Sequence, residues 1–281
     1  MASPDGPAGS PDAPAAVPVR PAATVVLLRD GRAADGTAEL QTWLLRRVPR
    51  MAFAAGMSVF PGGAVDAADA AVPVADDTTV ASVAARLDTT AEHARALLCA
   101  AVRETFEETG VALTRPRAAL GGDVRAAVEG RERGFAEVLA ENGLSLDTSA
   151  ARPWARWITP EGEARRYDAV FFVAALPDGA VAVPATTEAV HADWIGVHTA
   201  LAEFEAGTRP LLPPTMVTLA EIGAWATVAE VLAQAVSRPI APVQPRFRRD
   251  ADGTLRADLG DGRSVALPAD FLGASGRRPD A

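Results

Sequence analysis

The chain has 281 residues, of which 49% are hydrophobic and 22% charged, and its formal net charge is −9. This length fits one large domain with extensions or two small domains, with enough apolar material for a core. The acidic charge makes a long polyanion such as nucleic acid a poor partner. Cys99 is the single cysteine and lysine is absent, which excludes an intrachain disulfide, a lysine Schiff base and a P-loop.

No targeting segment is evident in the sequence. The first residues contain no basic stretch followed by an apolar run, and no stretch approaches the ~18 apolar residues of a membrane helix. We therefore expect a cytoplasmic protein without a signal peptide or a membrane span.

The N-terminal third of the chain predicts a disordered tail and a hairpin. Residues 1–20 are mostly Pro, Ala, Ser and Asp and are predicted to be disordered. The apolar runs at 23–28 and 40–46 predict two strands joined at a polar tip over 30–36. A third strand ends at Val59 and enters a turn at Gly62 and Gly63. Residues 64–88 lack a firm period and are predicted to form an inserted loop with some helix.

A long helix is predicted next. Thr89 and Glu92 have the spacing of a capping box, and Gly110 is the expected glycine at the C-terminal end. Beyond it the pattern predicts strands at 111–113, 154–159, 167–176 and 191–197, helices at 124–142 and 214–236, and a hairpin over 246–267 that turns at Asp261-Gly262. The main domain is expected to span 21–237, and a C-terminal extension 238–281.

Three glutamates share one face of the long helix. At 100° per residue, Glu104, Glu107 and Glu108 lie within an arc of about 100°, and Arg103 is four residues before Glu107. Carboxylates this close repel one another unless a cation is bound, and oxygen ligands suit Mg²⁺ or Mn²⁺. A merely solvated helix face is the alternative reading of the same pattern.

The segment from Arg103 to Val111, Arg-Glu-Thr-Phe-Glu-Glu-Thr-Gly-Val, resembles the second half of the Nudix box. Gly62 and Gly63 resemble its opening glycines. Gly63 and Arg103 are 40 positions apart where the usual box has about 14, which implies an insertion of about 26 residues. The early glutamate of the box would fall at Asp69, and Thr105 stands where an aliphatic residue is usual.

A split box of this kind is similar to the peroxisomal coenzyme A diphosphatase branch of the Nudix hydrolases and its bacterial relatives. Further similarity to that branch lies in residues 44–47 with 56–63, in 154–160 with 165–172, and in 211–215. Two positions depart from the upstream signature. Arg47 replaces a serine, and Ala52 replaces an arginine.

The resemblance implies an α/β fold, the Nudix α/β/α sandwich with a mixed sheet, and metal-assisted attack of water on a diphosphate. It implies Glu104, Glu107, Glu108 and the Gly63 carbonyl as ligands of Mg²⁺ or Mn²⁺. One of these glutamates, or Glu188, would activate the water, and Arg103 would orient Glu107. The substrate-binding candidates are Arg46, Arg47, Gly62 and Gly63.

The implied activity is hydrolysis of coenzyme A or acyl-coenzyme A to adenosine 3′,5′-bisphosphate and (acyl)phosphopantetheine. One alternative is a Nudix hydrolase of another nucleoside diphosphate derivative, such as ADP-ribose, a dinucleotide or a nucleotide sugar. A second alternative is a non-catalytic Nudix domain that senses a nucleotide. The expected partner is a small-molecule nucleoside diphosphate, with no nucleic acid and no membrane.

Overall fold

A computed structural model describes residues 17–48, 56–184, 189–268 and 271. In these residues a mixed eight-stranded sheet lies between two groups of helices, and a three-stranded and a two-stranded sheet accompany it. The strands are β1 (Val19–Arg32), β2 (Ala38–Arg47), β3 (Ser58–Val59), β4 (Gly62–Ala64), β5 (Thr114–Arg115), β6 (Ser145–Leu146), β7 (Ala151–Ile158), β8 (Arg166–Ala175), β9 (Ala189–Gly196), β10 (Pro242–Val243), β11 (Arg246–Arg249), β12 (Leu255–Asp258) and β13 (Ser264–Ala266). The helices are α1 (Asp77–Leu87), α2 (Ala91–Thr109), α3 (Gly122–Glu129), α4 (Phe135–Glu141), α5 (Val197–Glu205), α6 (Pro213–Ile222) and α7 (Val228–Ser237), with a 3₁₀ helix at Ala67–Ala71.

The main sheet has the strand order β10-β7-β8-β1-β2-β3, with β4 paired to β1 and β9 paired to β2. Strand β1 is antiparallel to β2 and parallel to β8. Alternate residues of β1 enter two different cores: Val25 packs in the core that includes α2, and Val26 in the core that includes α6 and α7. The predicted α/β fold with a mixed sheet is therefore confirmed.

Helix α2 ends as predicted and begins one residue later than predicted. Gly110 takes the left-handed conformation, with φ of 73°, and closes the helix. The predicted capping box of Thr89 and Glu92 is wrong, because Thr90 is the N-cap and its hydroxyl accepts a hydrogen bond from the His93 amide.

The insertion (residues 64–88) is more ordered than predicted. It holds the 3₁₀ helix and α1, and the Asp76 side chain caps α1 by accepting hydrogen bonds from two backbone amides. Val80, Val83 and Leu87 are buried in the same core as Leu97 of α2. The insertion is thus packed along the glutamate-bearing helix.

Several predicted boundaries are wrong. Residues 111–113 form no strand, since the short strand β5 follows them. The predicted helices 124–142 and 214–236 are each divided in two, the first around Gly130 and the second at Gly223, where Thr227 starts α7 with a capping box. Helix α5 was not predicted. Residues 1–16 lie outside the described part of the chain, but Val19 and Arg20 belong to β1 and correct the predicted disordered boundary at 20.

The C-terminal extension is attached to the main sheet. Strand β10 pairs in parallel with β7, and β11, β12 and β13 form an antiparallel sheet. The single hairpin predicted over 246–267 is therefore wrong, but its turn at Asp261-Gly262 is present as the second turn of this sheet. Its apolar side chains form a small core with Met57. Among the described residues, no helix is long and apolar enough to cross a membrane.

Candidate active site

The glycine turn (Gly62 and Gly63) lies against the C-terminal half of α2. Pairing of β4 with β1 places Gly62 beside Thr24 and Gly63 beside Ala23. The Gly62 amide donates a hydrogen bond of 2.9 Å to Glu108 Oε2, and Gly63 faces the Glu104 carboxyl group. Two halves of the motif, 46 residues apart at this hydrogen bond, therefore meet in space.

Arg103 is the centre of the acidic cluster. Its Nη1 donates to Glu104 Oε1 at 2.7 Å and to Glu107 Oε1 at 3.2 Å, and its Nη2 donates to the Ala64 carbonyl at 3.0 Å. Burial lowers the pKa of Arg103, but its hydrogen bonds to Asp69 and the neighbouring carboxylates outweigh burial and raise it. This guanidinium is therefore a permanent positive charge beside Glu104 and Glu107.

Asp69 holds Arg103 from the other side. Its two oxygens accept hydrogen bonds from Arg103 Nε and Nη2, both at 3.0 Å, and its side chain is 3% exposed. Asp69 also accepts a hydrogen bond from the Asp66 amide, which fixes the 3₁₀ helix. The carboxylate that corresponds in position to the early glutamate of the box is thus next to the box arginine, although the sequence supported that acidic role only weakly.

Glu107 is a half-buried carboxylate with an acidic neighbour. Burial and the charge of Glu104 raise its pKa from 4.5 to about 7, against the opposing effect of Arg103. A cation at this point would favour the charged form of both carboxylates. The donor set is oxygen only, as Mg²⁺ and Mn²⁺ prefer, and in its chemistry it fits such an ion.

The side chains as described are not arranged as a metal site. Over residues 17–48, 56–184, 189–268 and 271, no group of three or more His, Cys, Asp and Glu side chains is placed to hold a metal ion. The physical reason is visible in the contacts, because Arg103 binds Glu104 and Glu107 while the Gly62 amide binds Glu108. Binding of a divalent ion requires these carboxylates to exchange partners.

The cluster opens into a cleft of about 680 Å³. Of the predicted phosphate-binding arginines, Arg47 lines the cleft, whereas Arg46 is exposed and is not among its lining residues. Glu188, the predicted alternative base, lies outside the described residues. Three arginines that no sequence motif indicated also line the cleft: Arg131, Arg133 and Arg165. In the sequence, glycines flank Arg131 and Arg133 and indicate a loop. This loop was the only sequence pattern that could have suggested a role for these two arginines.

The two glycines of the turn predict opposite mutational results. A Cβ on Gly63 would clash with the carboxyl end of the flexible Glu104 side chain, so Gly63→Ala should change stability by less than about 1 kcal/mol and lower kcat by about 10- to 100-fold. A Cβ on Gly62 would lie 2.5 Å from the Ala23 carbonyl oxygen and 2.8 Å from Thr24 Cα. Backbone cannot yield without disturbing the β1–β4 pairing, so Gly62→Ala should cost about 1–3 kcal/mol. Thermal unfolding and steady-state kinetics of both variants test this contrast. Equal losses of stability would contradict it.

The fold and the turn-and-helix cluster define a Nudix hydrolase. The crystal structure of a Nudix hydrolase from Alicyclobacillus acidocaldarius matches with a TM-score of 0.64 and 26% identity, over 77% of this chain and 96% of that one. The family model of the NUDT19 Nudix domain matches residues 73–222. The chain therefore belongs to the NUDT19 Nudix family, and the predicted family and enzyme class, a Nudix diphosphatase, are confirmed.

Two curated relatives carry the same family name. The human acyl-coenzyme A diphosphatase NUDT19 is 26% identical over 269 residues, which cover 78% of this chain and 70% of the human protein. The chicken acyl-coenzyme A diphosphatase NUDT19 is 28% identical over 188 residues, half of each chain. Nudix enzymes act on small-molecule nucleoside diphosphates and generally use divalent metal ions.

Proposed function

We propose that this protein hydrolyses the diphosphate bond of coenzyme A or acyl-coenzyme A, with Mg²⁺ or Mn²⁺ as its cofactor. The products are adenosine 3′,5′-bisphosphate and (acyl)phosphopantetheine. The observation that carries the proposal is the contact of the glycine turn with the acidic cluster, where Gly62 binds Glu108 and Gly63 faces Glu104. The names of the human and chicken relatives favour the coenzyme A substrate.

Glu104, Glu107, Glu108 and the Gly63 carbonyl are the proposed ligands. When bound there, such an ion would supply positive charge against the diphosphate and would favour the ionisation of water. One carboxylate of the cluster, or Glu188, accepts the proton of the attacking water. The water oxygen then forms a bond to one phosphorus atom, and the bond from that phosphorus to the bridging oxygen breaks.

Arg103 acts on the carboxylates and not on the substrate. Its charge and its bidentate pair with Asp69 hold Glu104 and Glu107 on the cleft side of α2. Arg47 lines the same cleft and supplies positive charge for a phosphate group. The family alternatives to coenzyme A all contain a diphosphate, so these contacts suit each of them.

A substrate comparison tests the proposal. The purified protein with Mg²⁺ or Mn²⁺ is expected to hydrolyse coenzyme A and acyl-coenzyme A with a kcat/KM at least about tenfold above that for ADP-ribose, dinucleotides and nucleotide sugars. Product masses identify which bond breaks. A clear preference for ADP-ribose would replace the substrate. Tight nucleotide binding without turnover of any diphosphate would favour the sensor alternative.

A further inference from the structure

We propose that the C-terminal extension forms part of the substrate site and receives the acyl end of the substrate. This inference rests on the proposed coenzyme A substrate and assigns one arm of it to one end of the cleft. Pro245 and Phe247 of the extension line the same cleft as the glycine turn and Glu104. The match to the family model ends at residue 222, so these two residues lie outside the matched region.

A row of paired residues connects the glycine turn to the extension. Ala64, next to Gly63, pairs with Ala22 of β1; Ala22 pairs with Ala169 of β8; and Ala169 pairs with Trp157 of β7. All four of these residues line the cleft. Three successive alanines have small side chains, so they leave an open path along this part of the sheet that ends at Trp157.

Trp157 is also where the extension joins the sheet, because it pairs with Val243 of β10. From β4 to β10 there are four strand spacings, which is about 19 Å. The pantetheine arm contains three short units joined by two amides and spans roughly 10–15 Å when extended. Its sulfur would therefore stop short of the extension, and an acyl chain on that sulfur would reach it.

The side chains that line the cleft also change in character along this path, from the glycine turn towards the extension. At the glycine turn the cleft has acidic side chains, and at the other end it has Trp157, Pro245 and Phe247. Pro245 is buried and Trp157 is 4% exposed, so they form a firm apolar wall. A charged diphosphate belongs at the first end, and an apolar chain gains most by burial at the second.

The extension is held in place well enough to serve as a wall. The Phe247 backbone pairs with Ala257, and its ring lies 6.1 Å from that of Phe271. Leu255, Ala257 and Leu267 are buried with Met57 of the main domain. Phe247 therefore has a supported position between this small core and the cleft.

The test compares octanoyl-coenzyme A, free coenzyme A and ADP-ribose. Phe247→Ala is expected to lower kcat/KM for octanoyl-coenzyme A about tenfold more than for free coenzyme A, which corresponds to about 1.4 kcal/mol. The control is Val265→Ala, which removes apolar volume from the same small sheet but does not line the cleft. It should leave the ratio of the two kcat/KM values unchanged. Equal losses on all three substrates in Phe247→Ala would overturn the assignment and place the nucleoside at this end.

A second variant tests the path itself. Ala169→Leu fills the end of the alanine row beside Trp157 and should lower kcat/KM for both coenzyme A substrates more than for ADP-ribose, whose second arm is a short ribose. An equal effect on all three would overturn the path.

Calorimetric binding in EDTA separates this inference from the proposed function. Wild-type protein should bind octanoyl-coenzyme A more tightly than coenzyme A, and Phe247→Ala should lose about tenfold of that difference. If the wild type binds in this way but hydrolyses only ADP-ribose, the proposed activity is refuted and the acyl-binding role of the extension is supported. If the wild type shows no acyl preference in binding, the acyl-binding role is refuted whatever the activity.

Discussion

Replacing Glu107 with glutamine is expected to lower kcat by about 1,000-fold or more while the metal-free protein becomes more stable. The loss follows because one of four proposed metal ligands is removed, and the contribution of a bound ion is several kcal/mol. The gain follows because burial and Glu104 together disfavour the charged form of Glu107 even though Arg103 is 3.2 Å away. Glutamine keeps the shape of the side chain and removes the unfavourable charge.

The sign of the pH dependence gives an additional check. The pKa of Glu107 is raised from 4.5 to about 7, so between these values the folded protein binds a proton that the unfolded chain does not. Stability of the metal-free protein should fall as pH rises through this interval, and Glu107→Gln should lack that part of the fall.

Thermal unfolding in EDTA from pH 4.5 to 8, steady-state kinetics and calorimetric Mn²⁺ binding measure the three effects. Glu92→Gln is the matched control, because Glu92 lies on the same helix in an exposed position. It should keep activity and Mn²⁺ affinity. A Glu107→Gln enzyme that retains Mn²⁺ affinity and activity within tenfold of the wild type would refute the ligand assignment.

Replacing Asp69 with alanine is expected to have the largest effect on stability. The change leaves the Arg103 guanidinium without its bidentate partner. The Arg103 side chain is 10% exposed, and breaking a buried pair in this way costs about 3–5 kcal/mol. Because Arg103 keeps its hydrogen bonds to Glu104 and Ala64, we expect the free energy of unfolding to fall by somewhat less, about 2–4 kcal/mol. Activity should fall about 10- to 100-fold even well below the melting temperature, because Arg103 no longer orients the glutamates.

Asp77 provides the control for this experiment. It also belongs to the insertion and also pairs with an arginine of α2, Arg95, but its side chain is 77% exposed. Asp77→Ala should cost less than about 1 kcal/mol and leave kcat unchanged. Asp69→Glu keeps the charge and should recover more activity than Asp69→Asn. If Asp69→Ala and Asp77→Ala behave alike, Asp69 has no positioning role.

The described contacts explain why the insertion does not disrupt the motif. The insertion begins directly after the glycine turn, and its helix α1 packs along α2. Its residue Asp69 accepts a hydrogen bond from Arg103. A chain segment added between the two halves of a site is tolerated when both of its ends stay fixed, because the entropy of closing a longer loop rises only slowly with length. The glycine turn and the glutamates are fixed by the β1–β4 pairing and by α2.

Much of the site was readable from local sequence patterns. The helical period placed Glu104, Glu107 and Glu108 on one face, and Gly110 marked the end of the helix, because both features depend on neighbours within four residues. The two apolar runs and the polar tip between them predicted the β1–β2 hairpin for the same reason. The division of the helix predicted over 214–236 was missed, because the apolar pattern continues across the break at Gly223.

Contacts between distant segments had to be decided by the tertiary structure. Arg46 and Arg47 are adjacent in one strand, and the pairing of β2 with β9 is irregular between them. Arg47 lines the cleft and Arg46 does not. Asp69 and Arg103 are 34 positions apart, so their contact depends on how the chain between them folds. The closeness of Phe247 to the cleft depends on the β10–β7 pairing. Sequence periodicity reports which residues of one element share a face, whereas packing between elements decides which faces meet. The sequence alone therefore predicted the acidic face of the helix, whereas the residues that line its cleft were determined by the tertiary structure.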